Sequence, residues 1–71
     1  MKEKILINYL YKKMKKYIYK SSEKELKRHY DWYQVENGNK LELLEVMFES
    51  YYETYNINEL KKQILKLEAK W

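Results

Sequence analysis

Cysteine and proline are absent from this 71-residue sequence, and glycine, arginine and histidine each occur only once. Without cysteine the chain has no disulfide framework and no thiolate metal site, which fits a reducing, cytoplasmic setting. No run of 18 apolar residues exists, so no segment is expected to span a membrane. The apolar patch near the start is short, charge returns at Lys12, and no small-residue cleavage site follows. We therefore expect no signal peptide.

Alanine, glycine and arginine occur once each and proline is absent, and these four are written mostly with GC-rich codons. The abundant lysine, tyrosine, isoleucine, asparagine and glutamate are written largely with A and T. This bias indicates an AT-rich genome, such as that of a low-GC bacterium, its phages or plasmids, or an archaeon or its virus. Part of the lysine excess therefore reflects codon usage. At this length we expect a single domain, residues 1–71, which buries only about 60% of its unfolded surface and is marginally stable alone.

Charge is unevenly distributed along the chain. Residues 1–28 hold ten basic and three acidic residues, a net charge of +7, whereas residues 29–71 carry a net charge of −3. Such asymmetry indicates a patch for nucleic acid or an acidic protein at one end. It equally fits a basic first helix that lies beside an acidic third helix.

Apolar residues recur at helical spacing in four segments, which predicts an all-α, compact bundle of three or four short helices. The predicted helices cover residues of about 2–20, 23–36, 40–55 and 57–70. Three joints between them carry a Ser or Asn followed three residues later by Glu, the pattern of a capping box. These pairs are Ser22 with Glu25, Asn39 with Glu42, and Asn56 with Glu59. Short joints favour antiparallel neighbours.

Asn37-Gly38 leaves the second joint open to two interpretations. An Asn-Gly pair between alternating hydrophobic residues is typical of a β-hairpin. Gly38 also suits the left-handed position that follows a helix, and an isolated two-stranded hairpin has no sheet to join. We expect two helices joined at Gly38, with a short hairpin as the alternative.

The third segment, residues 41–55, carries about one and a half apolar faces, so it is either central in the bundle or also meets a partner. One face of this segment is expected to hold Leu41, Leu44, Phe48, Tyr51, Tyr52 and Tyr55. Leu43, Val46 and Met47 are expected on the far side. The buried core is predicted to include Leu10, Met14, Leu44, Phe48, Leu60 and Ile64.

Catalytic chemistry finds little support in the sequence. His29 stands near Glu25 and Asp31, but a stable metal site needs three or four ligands of fixed geometry. The acidic stripe Glu42, Glu45, Glu49 and Glu53 lacks the Glu-x-x-His motif of carboxylate-bridged metal bundles and is expected to be solvated or paired with the first helix. No phosphate-binding loop or nucleophile motif is present. We expect no catalytic residue, no metal, no cofactor and no small-molecule substrate.

One face of the first helix combines basic and aromatic residues, as phosphate neutralisation with base stacking requires. These residues are Tyr9, Lys12, Lys13, Lys16 and Lys20. The pattern predicts a nucleic-acid interface as one alternative. The other two alternatives are a lysine face that is only solvated and contact with an anionic membrane surface. The single arginine and the lack of a recognition motif weaken the nucleic-acid interpretation.

Nine tyrosines and two tryptophans are many for so short a chain, so some are expected on the surface, where protein interfaces enrich them. An outward patch on the second and third helices is predicted from Trp32, Val35, Leu43, Val46 and Met47. The alternative is that the fourth helix covers the Leu43–Met47 side. The leading expectation is a small protein-binding module, such as a regulator or inhibitor from a phage or mobile element. A nucleic-acid-binding accessory protein and a homodimerisation unit are the alternatives.

Overall fold

The computed structural model describes residues 2–68, which form four α-helices joined by short turns. The helices are α1 (Lys2–Lys20), α2 (Glu23–Tyr33), α3 (Lys40–Thr54) and α4 (Ile57–Glu68). The predicted all-α fold is confirmed. The predicted end of the fourth helix, near residue 70, lies outside the described residues. Within residues 2–68 no helix combines the length and the apolarity needed to cross a lipid bilayer.

The starts of α2, α3 and α4 are set by the three predicted capping residues. The backbone N–H of Glu25 donates to Ser22 Oγ over 3.3 Å, and that of Glu59 donates to Asn56 Oδ1 over 2.9 Å. At α3 the exchange is reciprocal, because the N–H of Glu42 donates to Asn39 Oδ1 and Asn39 Nδ2 donates to Glu42 Oε2. Each cap satisfies a backbone donor that the first turn leaves unpaired. Three of the four helix starts are thus specified locally.

The end of α2 differs from the prediction, because the helix stops at Tyr33 and does not continue to residue 36. Gln34 adopts a left-handed conformation, with φ of 58° and ψ of 44°. The N–H of Gln34 donates to the carbonyl of Asp31, and the N–H of Val35 donates to that of Tyr30 over 2.9 Å. This is the Schellman pattern, in which a left-handed residue ends the helix and an apolar residue follows it. Val35 is buried, so the exit from α2 is anchored in the core.

The hairpin alternative at Asn37-Gly38 is wrong, since no strand occurs in the described part of the chain. A hairpin of two central residues in a type I′ turn needs positive φ at both of them, but here only Gly38 has it, at 91°. The N–H of Asn39 donates to the carbonyl of Glu36, which closes a turn centred on Asn37-Gly38. A positive φ at the second central residue alone is typical of a type II turn. Gly38 therefore shapes the approach to α3 and does not terminate α2.

The arrangement of the helices follows from a few side-chain contacts. α1 packs chiefly against α4 and α3, whereas α2 packs mainly against α3. Tyr11 on α1 meets Phe48 on α3 edge to face at 5.2 Å, and the ammonium of Lys40, the first residue of α3, lies over the ring of Tyr19 near the end of α1. The end of α1 therefore lies beside the start of α3, and the two helices run antiparallel.

The buried core contains all six residues that the sequence predicts for it. The buried arc of α3, however, is turned by roughly 50–60° from the predicted face, at 3.6 residues per helical turn. Leu43 and Met47, expected on the far side, are 0% exposed, whereas Leu41 and Tyr52 are 54% and 50% exposed. α3 contacts all three other helices, so its buried arc is set by these partners together. The apolar surface that α3 has beyond its buried arc, its surplus apolar half-face, is therefore on the side of Leu41 and Tyr52.

Candidate nucleic-acid interface

The outer side of α1 brings together all five residues that the sequence predicts for nucleic-acid binding. Residues four apart on a helix lie above one another, which aligns the side chains along the axis. We call this set the lysine face: Tyr9, Lys12, Lys13, Lys16 and Lys20. Four of its members are exposed, and Lys13 is partly buried. From Lys12 to Lys20 the face spans about 12 Å, the axial length of about three to four phosphates of one DNA strand.

Two further residues extend the lysine face toward the start of α1. Ile5 and Asn8 line a shallow open depression together with Tyr9, Lys12, Lys13 and Lys16. Ile5 is exposed over 71% of its surface and adds an apolar side chain to this depression. Sequence reasoning missed both residues. They stand four residues before Tyr9 and Lys12, so extension of the same spacing by one turn would have found them.

Two tyrosine rings of α1 make cation–π contacts with lysine ammonium groups on or beside the lysine face. Lys13 Nζ lies 5.4 Å from the ring centroid of Tyr9, and Lys15 Nζ lies 5.9 Å from that of Tyr19. Lys40 Nζ approaches the Tyr19 ring to 5.6 Å. Such cation–π pairs contribute about 0.5–1 kcal/mol each at exposed positions. The rings therefore act first as supports for positive charge, and stacking of a nucleic-acid base on Tyr9 would compete with Lys13.

All charged side chains of the lysine face are positive. Between residues 4 and 20 the helix contains no acidic residue, and the one carboxylate of α1, that of Glu3, stands in its first turn, before the lysine face. The acidic stripe Glu42, Glu45, Glu49 and Glu53 is exposed on α3. An ammonium group neutralises phosphates as a compact charge, and contacts with phosphates carry no sequence information directly. The arrangement is therefore a row of cations that could neutralise the charges of a polyanion.

The predicted protein-binding patch does not exist as one outward surface. Leu43 and Met47 are 0% exposed, Val35 is buried, and Val46 is partly buried against the core. The prediction failed because it placed the core face of α3 too far round the helix. Truncation of Met47 would therefore damage the core and cannot serve as an interface test that leaves the fold intact.

Trp32 is the one residue of that patch that faces solvent. Its side chain is 79% exposed, more than that of any other large hydrophobic residue in the described part of the chain. Helical spacing places it one turn after Arg28 and two turns after Lys24, which are both exposed. An exposed tryptophan beside cations is chemically suited to contact another macromolecule.

His29 is engaged with the core. Its Nε2 lies 3.0 Å from the hydroxyl of Tyr17, and the two rings meet edge to face. Among residues 2–68 no group of three or more His, Asp or Glu side chains is placed to hold a metal ion. His29 is therefore best described as a partner of Tyr17 that ties α2 to α1.

Tyrosine side chains from three helices meet near this contact. Burial raises the pKa of Tyr51 to about 12, and the neighbouring Tyr33 and Tyr55 add to the shift. Burial also raises the pKa of Tyr17 and of Tyr33, the latter opposed by a hydrogen bond with Ser50. All these shifts favour the neutral hydroxyl. The cluster is therefore uncharged at neutral pH and offers no general base.

The hydroxyl of Tyr30 is the only buried side-chain polar atom in the described residues without a hydrogen-bond partner. Burial, followed by the charge of Glu23, raises its pKa. The backbone of Gly38 acts in the opposite direction, although its contact falls short of a hydrogen bond. A lone unpaired hydroxyl in this position costs stability and marks no site by itself.

Comparison with models of protein families, with curated proteins and with solved structures found no match to this chain.

Proposed function

We propose that the protein binds polyanions, nucleic acid above all, through the lysine face of α1, and that it is a binding protein and not an enzyme. The observation that supports this most is the shared position of Tyr9, Lys12, Lys13, Lys16 and Lys20 on one outer side of α1. The proposal places the protein in the cytoplasm, where nucleic acid is abundant. An accessory role encoded by a mobile element of an AT-rich genome belongs to the same proposal.

The chemistry of the face indicates binding with little dependence on base sequence. Lysine neutralises phosphates as a compact charge, and the single arginine of the chain, the preferred bidentate reader of guanine, lies on α2. Asn8 is the one amide side chain that lines the depression, the type that pairs with adenine through two hydrogen bonds. Affinity should therefore come mainly from the release of counterions.

The test measures the salt dependence of affinity for labelled single-stranded and duplex DNA and for RNA by fluorescence anisotropy. The variant changes Lys12, Lys16 and Lys20 to Gln. Each phosphate contact adds about 0.9 to the slope of log affinity against log salt on duplex DNA, so the variant should lower the slope by about 2–3. Affinity should fall by a similar factor for different base sequences of equal length.

The matched control changes Lys61, Lys62 and Lys66 to Gln, which removes the same charge from exposed positions of α4. This control should keep the slope of the wild type. If the wild-type protein fails to bind any of the three nucleic acids at low salt, the proposal is wrong. If both triple variants weaken binding equally, net charge alone is responsible and the lysine face has no special role.

A second candidate function is binding of a protein partner through Trp32, as expected of a regulator or inhibitor. The 79% exposure of this side chain supports it. Truncation of a tryptophan anchor in an interface typically costs at least ~2 kcal/mol of binding energy. Proteins captured from nuclease-treated host lysate by the wild type, but not by a Trp32→Ala variant, would favour this function. Capture that depends on Lys12, Lys16 and Lys20 and disappears with nuclease would favour the first.

A further inference from the structure

An open groove runs between α1 and α3, on a side of α1 away from the lysine face. We call it the α1–α3 groove; it is lined by Ile7, Tyr11, Glu45, Phe48, Glu49 and Tyr52. Its floor is apolar and aromatic, and the ring of Tyr11 meets that of Phe48 edge to face. Tyr52 is half exposed here, and the equally exposed Leu41 lies on the same side of α3. This is where the surplus apolar half-face of α3 lies.

The two walls of the groove are lined or flanked by charges of opposite sign. On the α3 wall Glu45 and Glu49 line the groove, and Glu53 follows one turn later. The α1 wall is lined by Ile7 and Tyr11. Helical spacing places Lys4 and Lys15, which are both exposed, on the same side of α1 as Tyr11, two turns before it and one turn after it. A partner of uniform charge would be attracted to one wall and repelled by the other. The surface best matched to this groove is one with the same two walls in exchanged positions.

A second copy of the chain provides that surface under one particular symmetry. A two-fold axis parallel to the groove lays α1 of each copy over α3 of the other, so that each basic wall meets an acidic wall. A two-fold axis across the groove would lay α1 on α1 and bring lysines against lysines. Isologous two-fold contacts are the commonest way in which identical chains associate.

The register of this pairing follows from the contacts within one chain. Tyr11 is level with Phe48, and Tyr19 is level with Lys40, because α1 and α3 are antiparallel with equal rise. Rotation about an axis along the groove preserves these levels. It brings Lys15 of one copy beside Glu45 of the other, and Lys4 beside Glu53. The exposed Tyr52 rings and Leu41 side chains are then covered.

We propose that the protein forms a homodimer through the α1–α3 groove, with Lys4 and Lys15 of each copy facing Glu53 and Glu45 of the other. The lysine face stays open in this dimer, because its residues point roughly 60–160° round α1 from Lys15. The groove is small, so the dimer belongs with transient interfaces at the low end of the size range. Association should weaken as salt is raised.

A charge-exchange experiment tests the proposal by sedimentation velocity. The samples are free of nucleic acid and range from about 10 µM to about 1 mM, where weak interfaces assemble. One variant changes Glu45 and Glu53 to Lys, and the other changes Lys4 and Lys15 to Glu. Each variant alone should lose association by about tenfold or more, since like charges then face one another. An equimolar mixture of the two should recover it as a heterodimer.

The matched control changes Lys24 and Lys27 to Glu, which removes the same charge as the second variant from exposed positions of α2. The control should dimerise like the wild type, and circular dichroism at 222 nm should show equal helicity in all variants. A wild-type protein that is monomeric at every concentration would overturn the proposal. So would a dimer that survives in both variants, which would place the contact elsewhere, or a mixture of variants that fails to associate.

Discussion

Replacement of Gln34 by Gly should stabilise the protein. Gln34 ends α2 in the left-handed conformation, at φ 58° and ψ 44°. For a residue with a Cβ atom this conformation costs roughly 1–2 kcal/mol, because Cβ approaches the following carbonyl oxygen. Glycine removes that strain but loses more conformational freedom on folding, at a cost of roughly 0.5–1 kcal/mol. The Gln34 side chain is exposed, so its removal forfeits no core packing.

The balance predicts a gain of about 0.5–1 kcal/mol in the free energy of unfolding, the usual size of such backbone effects. In a domain of this size the melting temperature should rise by about 2–8 °C. Urea and thermal unfolding followed by circular dichroism at 222 nm measure both quantities. Gln34→Ala is the matched control, because it removes the side chain but keeps Cβ, and it should give no gain.

The sign of the change discriminates between two ends for α2. If the helix continued to residue 36, as its sequence pattern predicts, Gln34→Gly would place glycine in a helix interior and cost roughly 1 kcal/mol. Gly38→Ala should act in the opposite direction from Gln34→Gly, because its φ of 91° is a conformation that residues with a Cβ atom rarely adopt. A Cβ at this position would meet no atom within 4 Å, so the loss comes from the backbone alone. A loss of stability in Gln34→Gly would refute the left-handed end of α2.

Four further substitutions test the core and the tyrosine cluster. Met47→Ala should cost about 2–5 kcal/mol in urea unfolding, whereas Leu41→Ala should cost under about 1 kcal/mol; equal losses would contradict the observed rotation of α3. Phe48→Ala should cost about 3–5 kcal/mol and abolish the contact with Tyr11, and a loss under about 1 kcal/mol would show that the ring is not part of the core. Because burial raises the pKa of Tyr51 to about 12 while an unfolded tyrosine ionises near pH 10, stability present below pH 10 should fall as pH rises toward 12. Tyr51→Phe should remove roughly 1–2 kcal/mol of this alkaline loss, after allowance for solvent screening, in unfolding measured from pH 9 to 12; an unchanged pH dependence would contradict the burial of the hydroxyl.

Local signals predicted the helix starts well. Ser22, Asn39 and Asn56 each cap the helix that their Ser/Asn-x-x-Glu pattern predicts, because the capping interaction involves only residues three apart. The end of α2 escaped prediction for the opposite reason. Its signal is a left-handed glutamine, a conformation that glycine or asparagine usually marks. Burial of Val35 stabilises that exit, and burial is a tertiary property that the local sequence does not display.

The two candidate surfaces show that a site on a helix can be predicted only if the buried side of that helix is predicted correctly. α1 has one apolar and one basic side, so its lysine face could be placed from spacing alone. α3 is apolar over more than half of its circumference, and the buried arc depends on where α1, α2 and α4 contact it. The patch containing Leu43 and Met47 was therefore predicted on the wrong side, and the true surplus at Leu41 and Tyr52 became visible only in the structure.

Because α2 is short, it is expected to be less stable against local unfolding than the rest of the molecule. It has 11 residues, fewer than an isolated helix needs to be stable in water, and it depends mainly on α3 for packing. Its backbone amides should thus exchange with deuterated solvent through a partial opening, well before those of α1, which has packing partners in both α3 and α4. In such an opened molecule, α1, α3 and α4 stay together while the Tyr17–His29 link is broken. The lysine face and the α1–α3 groove both belong to the part that persists.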